Sequence, residues 1–395
     1  MDKKAILIFG VGKLQKSIIL RAKAKGLFVV GIDPCSDAVC KDDCDAFEVV
    51  GGQDLAGTLT VARKYNISAI ITAATDKPLV MMAKVAEKLN YPFYSVRTAT
   101  WSTDKFQMKQ CFVEGGIPCA QGLLISNANE TEGMEFPIIV KPRDNSGSRG
   151  VKLCRNKKEL QDSISEALEN SYLNTVLVEE FIEGREFSIE SLHYNKQSEV
   201  IQFTEKTTTE FPYNVELGHK QPANLTDNQR EQIGTIITKI AECMQFEYCA
   251  SHTELKINDR GVFIIETSPR LGGDYITSAL TPLSTGINIE DQLLHIACGE
   301  SIDTKTNRIE KASAVCFFSL PEGEVKFINA EIHDVVNWSN VFDFNLKLKV
   351  GDKVNKITSS LNRYGQFIIQ ADSREEIDVL IEKYKNKINS LIIVE

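Results

Sequence analysis

Residues 254–273 constrain this chain more than any other stretch: an acidic residue in HTELK, a turn at NDRG, then the run VFIIETSPRLGG. Asn258-Asp259-Arg260-Gly261 between two apolar alternations predicts a β-hairpin. Glu254 and Glu266 then lie on adjacent antiparallel strands, twelve residues apart. The even spacing keeps both side chains on one face only if the turn preserves register, and facing carboxylates repel unless a cation sits between them. Magnesium is the natural occupant, because it is held by one or two carboxylates plus phosphates, and Arg270, four residues on, is placed to clamp an anion held by that metal. Taken alone, the two acids also fit a solvated hairpin facing water.

Two further segments bear on the choice. FPIIVKPRDNSGSRGV, residues 136–151, reads as a strand ending in Lys141, a loop around Ser146-Gly147-Ser148-Arg149-Gly150, then a second short strand. Glycines let backbone N–H groups approach phosphate oxygens, serine hydroxyls add donors, and Lys141 and Arg149 supply charge. No G-x-x-x-x-G-K-[ST] string occurs, so this is not a Walker loop. TVLVEEFIEGREFSIESL, residues 175–192, reads as a strand ending in Glu179-Glu180, a hinge Phe181-Ile182-Glu183-Gly184, and a second strand opening at Glu186. Such a hinge can present backbone groups to an adenine edge, and a carboxylate like Glu186 can accept both ribose hydroxyls. Each segment alone is equally compatible with a plain hairpin.

Together the three segments resemble the ATP-grasp superfamily, in the family's order and over nearly the whole chain: Lys105 in TDKFQMK opening a helix, Lys141 before the glycine-serine loop, VEEFIEG, then paired glutamates followed by SPR. The resemblance implies ATP and Mg²⁺ (or Mn²⁺) as cofactors. It implies Lys105, Lys141, Ser146, Gly147 and Ser148 at the phosphates, Glu179 and Ile182 on the adenine side, and Glu186 at the ribose. Glu254 and Glu266 become the metal ligands, with Ser268 where many members carry a ligating asparagine. The implied fold is a multidomain α/β and α+β chain: a Rossmann-like domain over residues 1–103, an ATP-grasp domain over 104–305 with a lid over about 121–195, and a β-rich C-terminal subdomain over 306–395.

The acceptor-side residues, FPYNVELGHKQPANL with SPRLGGDYI, look most like the L-amino-acid ligase branch, in which a carboxylate is phosphorylated and then attacked by an amine. His219, in the G-H-x-x-P setting, and Arg270, at the acyl phosphate, match that branch's catalytic residues. Gly272 and Gly273 would let a substrate backbone lie close, Asp274 could meet an ammonium, and Thr75 and Asp76 end a parallel strand where ligands sit. His252 reads as a structural residue bonding within the sheet; SSLNRYG, residues 359–365, could reach the site through Arg363, although a solvated turn is the simpler reading. The expected partners are a small carboxylate and a small amine. Two alternatives stay open: a biotin- or purine-type carboxylating enzyme, and a nucleotide-binding protein without turnover.

A net charge of −9 and pI near 5.3 argue against nucleic acid or an anionic membrane as partner. No apolar run reaches 18 residues and MDKKAILIFG begins directly with a strand, which implies a cytoplasmic protein and leaves a homodimer open. Cys35, Cys40 and Cys44 cluster without a C-x-x-C pair or an evident fourth ligand, whereas Cys154, Cys243, Cys249, Cys298 and Cys316 read as free buried thiols. In the first third, AILIF, FVVGID and AIITAATD alternate with helical stretches, which predicts a parallel sheet. Its first turn, Gly10-Val11-Gly12, with Asp33 further on, resembles a dinucleotide fingerprint, but Gln15 stands where the third glycine belongs. From about residue 310 strands dominate, followed by an amphipathic helix at 373–387.

Overall fold

The computed structural model describes residues 3–131, 133–145 and 150–395. The loop residues Ser146, Gly147, Ser148 and Arg149, expected at the phosphates, lie outside the described residues.

Apolar runs form the buried strands β1 (Ala5–Phe9), β2 (Phe28–Asp33) and β4 (Ile67–Ile71) of the first sheet, joined at its edge by β3 (Ala46–Val49), all parallel in the order β3-β2-β1-β4. Helices α1 (Lys16–Ala24) and α2 (Leu55–Lys64) make helical crossovers, and α3 (Leu79–Leu89) follows the last strand. The half-buried β3 escaped the sequence reading, since AFEV is short and carries an acid. Gly10 turns the chain at φ +83°, yet the loop is closed internally. Asp33 accepts from Val11 N at 2.9 Å and Cys35 N at 2.9 Å, and the Gln15 amide donates to Ala73 O at 2.6 Å. Asp33 thus caps the loop that a dinucleotide would occupy.

Helices α4 (Val96–Thr103) and α5 (Lys105–Glu114) lead to a small antiparallel sheet, the lid. It consists of β5 (Gly122–Ile125), β6 (Ile138–Pro142), β7 (Lys152–Cys154) and β8 (Val176–Glu180), ordered β5-β8-β6-β7, with α6 (Lys157–Glu169) packed on it. This sheet ends at Glu180, short of the expected 195, because β9 (Arg185–Tyr194) joins the large sheet instead. At the crossing, Gly184 has φ +148° and no space for a Cβ beside the Ile257 carbonyl, so the hinge requires glycine there.

The large sheet adds β10 (Gln197–Thr208), β11 (Glu216–Gln221), β12 (Cys249–Asn258) and β13 (Gly261–Ser268), with α7 (Asp227–Met244) between β11 and β12. Helices α8 (Thr281–Thr285) and α9 (Ile289–Ala297) follow. Of the C-terminal strands β14 (Ala312–Phe317), β15 (Gly323–Ile328), β16 (Val341–Leu346), β17 (Lys353–Val354), β18 (Gly365–Ala371) and β19 (Ile392–Val394), three continue this same sheet. The order is β13-β12-β9-β10-β11-β14-β18-β16, so the expected β-rich subdomain shares its main sheet with the preceding residues. Helix α10 (Arg374–Ser390) covers β14 and β18 through Ile377, Leu380, Ile381 and Tyr384.

Cys243, read as free, is disulfide-bonded to Cys111, which joins α7 to α5. Cys154, Cys249 and Cys316 are free and buried, and Cys298 is free and half-buried. Burial raises the Cys40 thiol, and it pushes Cys44 up to about 11 with help from Asp43. No helix of the described residues is long and apolar enough to cross a membrane.

Candidate active site

The hairpin forms as expected, but its carboxylates meet for a reason the spacing alone did not supply. The two-residue turn sets Asn258 against Gly261, Ile257 against Val262 and Leu255 against Ile264. Continued unbroken, that register would put Ile265 opposite Glu254 and turn Glu266 to the other face. One extra residue, a bulge at Ile265, shifts the pairing so that Glu254 stands directly across from Glu266. Ile264 is fixed at this point by Pro118 O, which accepts its N–H at 2.8 Å.

The functional side chains form cross-strand rows on one face. Ser188, Glu254 and Glu266 make one row; Glu190, His252 and Ser268 make the next, two residues along each strand. Two strands further, Lys206 on β10 pairs with His219 on β11. Lysines neutralise the first row: Lys105 Nζ lies 3.1 Å from Glu266 Oε2, and Lys206 Nζ lies 3.0 Å from Glu254 Oε1 and 3.4 Å from Glu216. Burial raises the Glu254 carboxyl, but Lys206 and His252 outweigh it and hold the group well below the usual range. Two facing carboxylates with ammonium groups already drawn to them are a hard-oxygen donor pair that suits Mg²⁺. Among the described residues no three or more His, Cys, Asp or Glu converge as a closed cage, so such an ion would draw its remaining ligands from phosphates or water.

Asp104 positions Lys105. It caps α5 by accepting from Phe106 N and Gln107 N, and it is gripped by Arg143 at 2.8 and 2.6 Å. Lys105 also donates to Asn145 O at 2.8 Å, which joins the helix start to the base of the lid loop. Lys141 on β6 meets Glu179 Oε2 at 2.5 Å, and Lys109 Nζ lies 3.3 Å from Glu179 Oε1. Burial, with the Lys109 and Lys105 charges, lowers the Lys141 ammonium despite Glu179. The Glu179 side chain therefore fixes two buried lysines.

Lys105, Lys141, Glu179, Ile182, Glu186, Glu254 and Glu266 all line one open cleft of about 1000 Å³. Glu186 accepts from Asn214 at 3.0 Å and pairs with Lys256 at 3.0 Å. Phe181 and Phe211 meet edge to face in the same wall, with the Lys256 ammonium 4.9 and 5.5 Å from their ring centres. Lys206, Lys256 and Asn214 were not foreseen: the first two are lysines within strands β10 and β12, and Asn214 lies in the loop between β10 and β11.

The acceptor-side residues form a second cluster. Asp76 accepts from Arg270 at 2.9 and 3.0 Å and from Ser268 Oγ at 2.6 Å. Burial opposes ionisation of Asp76, but Arg270 wins and holds it at about 2. Arg270 also donates to Leu271 O at 3.1 Å, so two of its five N–H groups remain for an anion. Ser268 belongs to the His252 row and is turned to Asp76. His219 is buried on a strand, 3.5 Å from Asp274, and neither ring nitrogen has a hydrogen-bond partner among the described residues. Arg363, expected in a solvated turn, is buried: it clamps Asp274 at 2.7 and 2.6 Å and lies 3.6 Å from the Phe317 ring centre. That contact spans 89 residues of sequence, which no local spacing could reveal.

This geometry, a cleft between a small lid sheet and a larger sheet carrying paired carboxylates, defines an ATP-grasp enzyme. Residues 134–278 match the ATP-grasp domain, and the chain has the ATP-grasp fold. It is 24% identical to a carbamoyl-phosphate synthase of Methanobrevibacter smithii, over 95% of this chain and 99% of that one. It is 26% identical to a formate-dependent phosphoribosylglycinamide formyltransferase of Prochlorococcus marinus, over 86% and 88%. The fold is similar to that of an L-amino acid ligase from Bacillus licheniformis, with a TM-score of 0.82 over 100% and 99% of the chains at 19% identity.

Proposed function

We propose that the protein is an ATP-dependent carboxylate–amine ligase that joins small amino-acid-type substrates through an acyl phosphate, releasing ADP and phosphate. The observation that carries this reading is the Glu254–Glu266 pair, set face to face by the Ile265 bulge and flanked by Lys105, with Arg270 four residues on. The similarity to the L-amino acid ligase structure supports the choice of branch.

Glu254 and Glu266 would hold Mg²⁺ or Mn²⁺, which when bound neutralises phosphate charge. Lys105 and Lys141 orient the γ-phosphoryl group for in-line attack by a substrate carboxylate. Glu186 would receive the ribose and Ile182 would face the base; both line the cleft. Arg270, held in plane by Asp76, offers its free N–H groups to the acyl phosphate, and the amine then attacks the carbonyl carbon and expels phosphate. His219 acts on the acceptor side beside Asp274. Closure of the lid keeps water from the acyl phosphate.

The test is a screen of amino-acid pairs with ATP and Mg²⁺, read by phosphate release and by mass spectrometry of the amide. ADP formation that requires both carboxylate and amine, and is abolished in Glu266→Gln, is the expected result. ADP formation that depends on bicarbonate and ignores the amine would overturn it.

A further inference from the structure

We infer that His252 and Glu190 form a positioning dyad that links the carboxylate Glu254 to the acceptor loop at Gly272, so that the two halves of the site are set by one buried imidazole. This rests on the ligase reading for its substrates, but its geometry is independent of it.

Glu190 is fully buried on β9, directly across from His252 on β12. Its Oε1 lies 2.5 Å from His252 Nδ1, while Oε2 accepts the Gly272 N–H at 3.2 Å. On the other side of the ring, His252 Nε2 reaches Glu254 Oε1 at 3.4 Å. The chain Gly272 N–H, Glu190, His252, Glu254 is therefore unbroken from the turn after β13 to the row that faces Lys105 and Lys206. Gly272 admits no side chain here, since a Cβ would stand 2.7 Å from both Glu190 Oε1 and His252 Nδ1.

The consequence is mechanical. Gly272 follows Arg270 by two residues, so the Glu190 contact fixes the turn on which Arg270 stands, and the His252 contact fixes the Glu254 oxygen that also meets Lys206. A buried carboxylate that orients an imidazole, which in turn orients a metal-binding carboxylate, is an outer-shell arrangement whose loss costs about 10–100-fold in metal affinity or activity.

The two arms can be cut separately. Asparagine places a donor where Nδ1 stands and reaches no further, whereas glutamine places one near Nε2. His252→Asn should keep the Glu190 arm: Mn²⁺ affinity of the ADP complex, read by electron paramagnetic resonance without turnover, falls about 10-fold or more while the KM for the carboxylate substrate is unchanged. His252→Gln should do the reverse, preserving Mn²⁺ affinity and raising the KM for the carboxylate substrate, and Glu190→Gln should raise that KM as well. If all three variants fold by circular dichroism and lower only the melting temperature, with Mn²⁺ affinity and KM at wild-type values, the dyad is structural and the inference fails. If the asparagine and glutamine variants lose both properties equally, the two-armed assignment fails. Absence of amide formation by the wild type would sink the ligase reading, while the Mn²⁺ contrast between His252→Asn and His252→Gln would still decide the dyad's metal arm.

Discussion

Replacing Glu179 with glutamine tests the charge cluster that fastens the lid to the helix carrying Lys105. The carboxylate lies 2.5 Å from Lys141 and 3.3 Å from Lys109, with the three side chains 5%, 6% and 8% exposed. Removing one partner of a buried pair costs about 3–5 kcal/mol, because a desolvated charge is left uncompensated. Glu179→Gln leaves two such charges close together. Lys109→Met leaves the neutral Lys141–Glu179 pair intact; it removes the 3.3 Å ion pair and one charged hydrogen bond, to Ile264 O at 3.2 Å, worth about 1.5–3 kcal/mol. Because the chain has several cores, the relevant quantity is local opening of the lid, which amide exchange along β6 and β8 reports. At about 1.36 kcal/mol per tenfold, Glu179→Gln should speed exchange there by about 100-fold or more and weaken ADP binding measured by calorimetry. Lys109→Met should have the smaller effect on both. Equal effects of the two substitutions, or unchanged exchange in Glu179→Gln, would refute the reasoning.

Two other expectations follow from the ion pairs. Glu205 is held at about 2: burial raises it, but hydrogen bonds from Arg185 and Arg374 prevail. Its contribution is complete above its unfolded value near 4.5 and disappears as the pH falls through 2, a loss of about 3 kcal/mol at most. Urea midpoints compared between pH 5 and 2 should therefore fall less steeply in Glu205→Gln than in the wild type; parallel curves would remove this pair from the acid response. Asp76→Asn should free Arg270 to swing, raising the KM of the carboxylate substrate while ADP affinity by calorimetry stays constant. A loss of ADP affinity would instead assign Arg270 to the nucleotide.

The paired glutamates, Lys105 at a helix start, Lys141 at a strand end and the parallel first sheet were legible because each is written in local pattern. Local pattern did not reveal register or reach. The even spacing of Glu254 and Glu266 could not disclose the Ile265 bulge, which depends on Pro118 docking against the strand. His252 looked like an ordinary sheet residue because its partner, Glu190, is 62 positions away. Arg363 looked solvated because the aromatic ring and carboxylate that bury it arrive from two other segments. Lys206 and Lys256 are mid-strand lysines, and only the assembled sheet tells an inward lysine from an outward one.

The eight-stranded sheet bears on how the chain could be taken apart. Cutting before β14 would leave β11 as a bare edge beside the nucleotide cleft, with its backbone donors and acceptors unpaired. The same cut would remove Arg363 from Asp274 and Arg374 from Glu205. The C-terminal residues are therefore not a cassette to be exchanged between relatives to alter the acceptor. The lid differs in that its four strands form a sheet of their own, so a chimera there leaves main-chain pairing whole provided that Lys109 and Asp104 keep partners for Glu179 and Arg143.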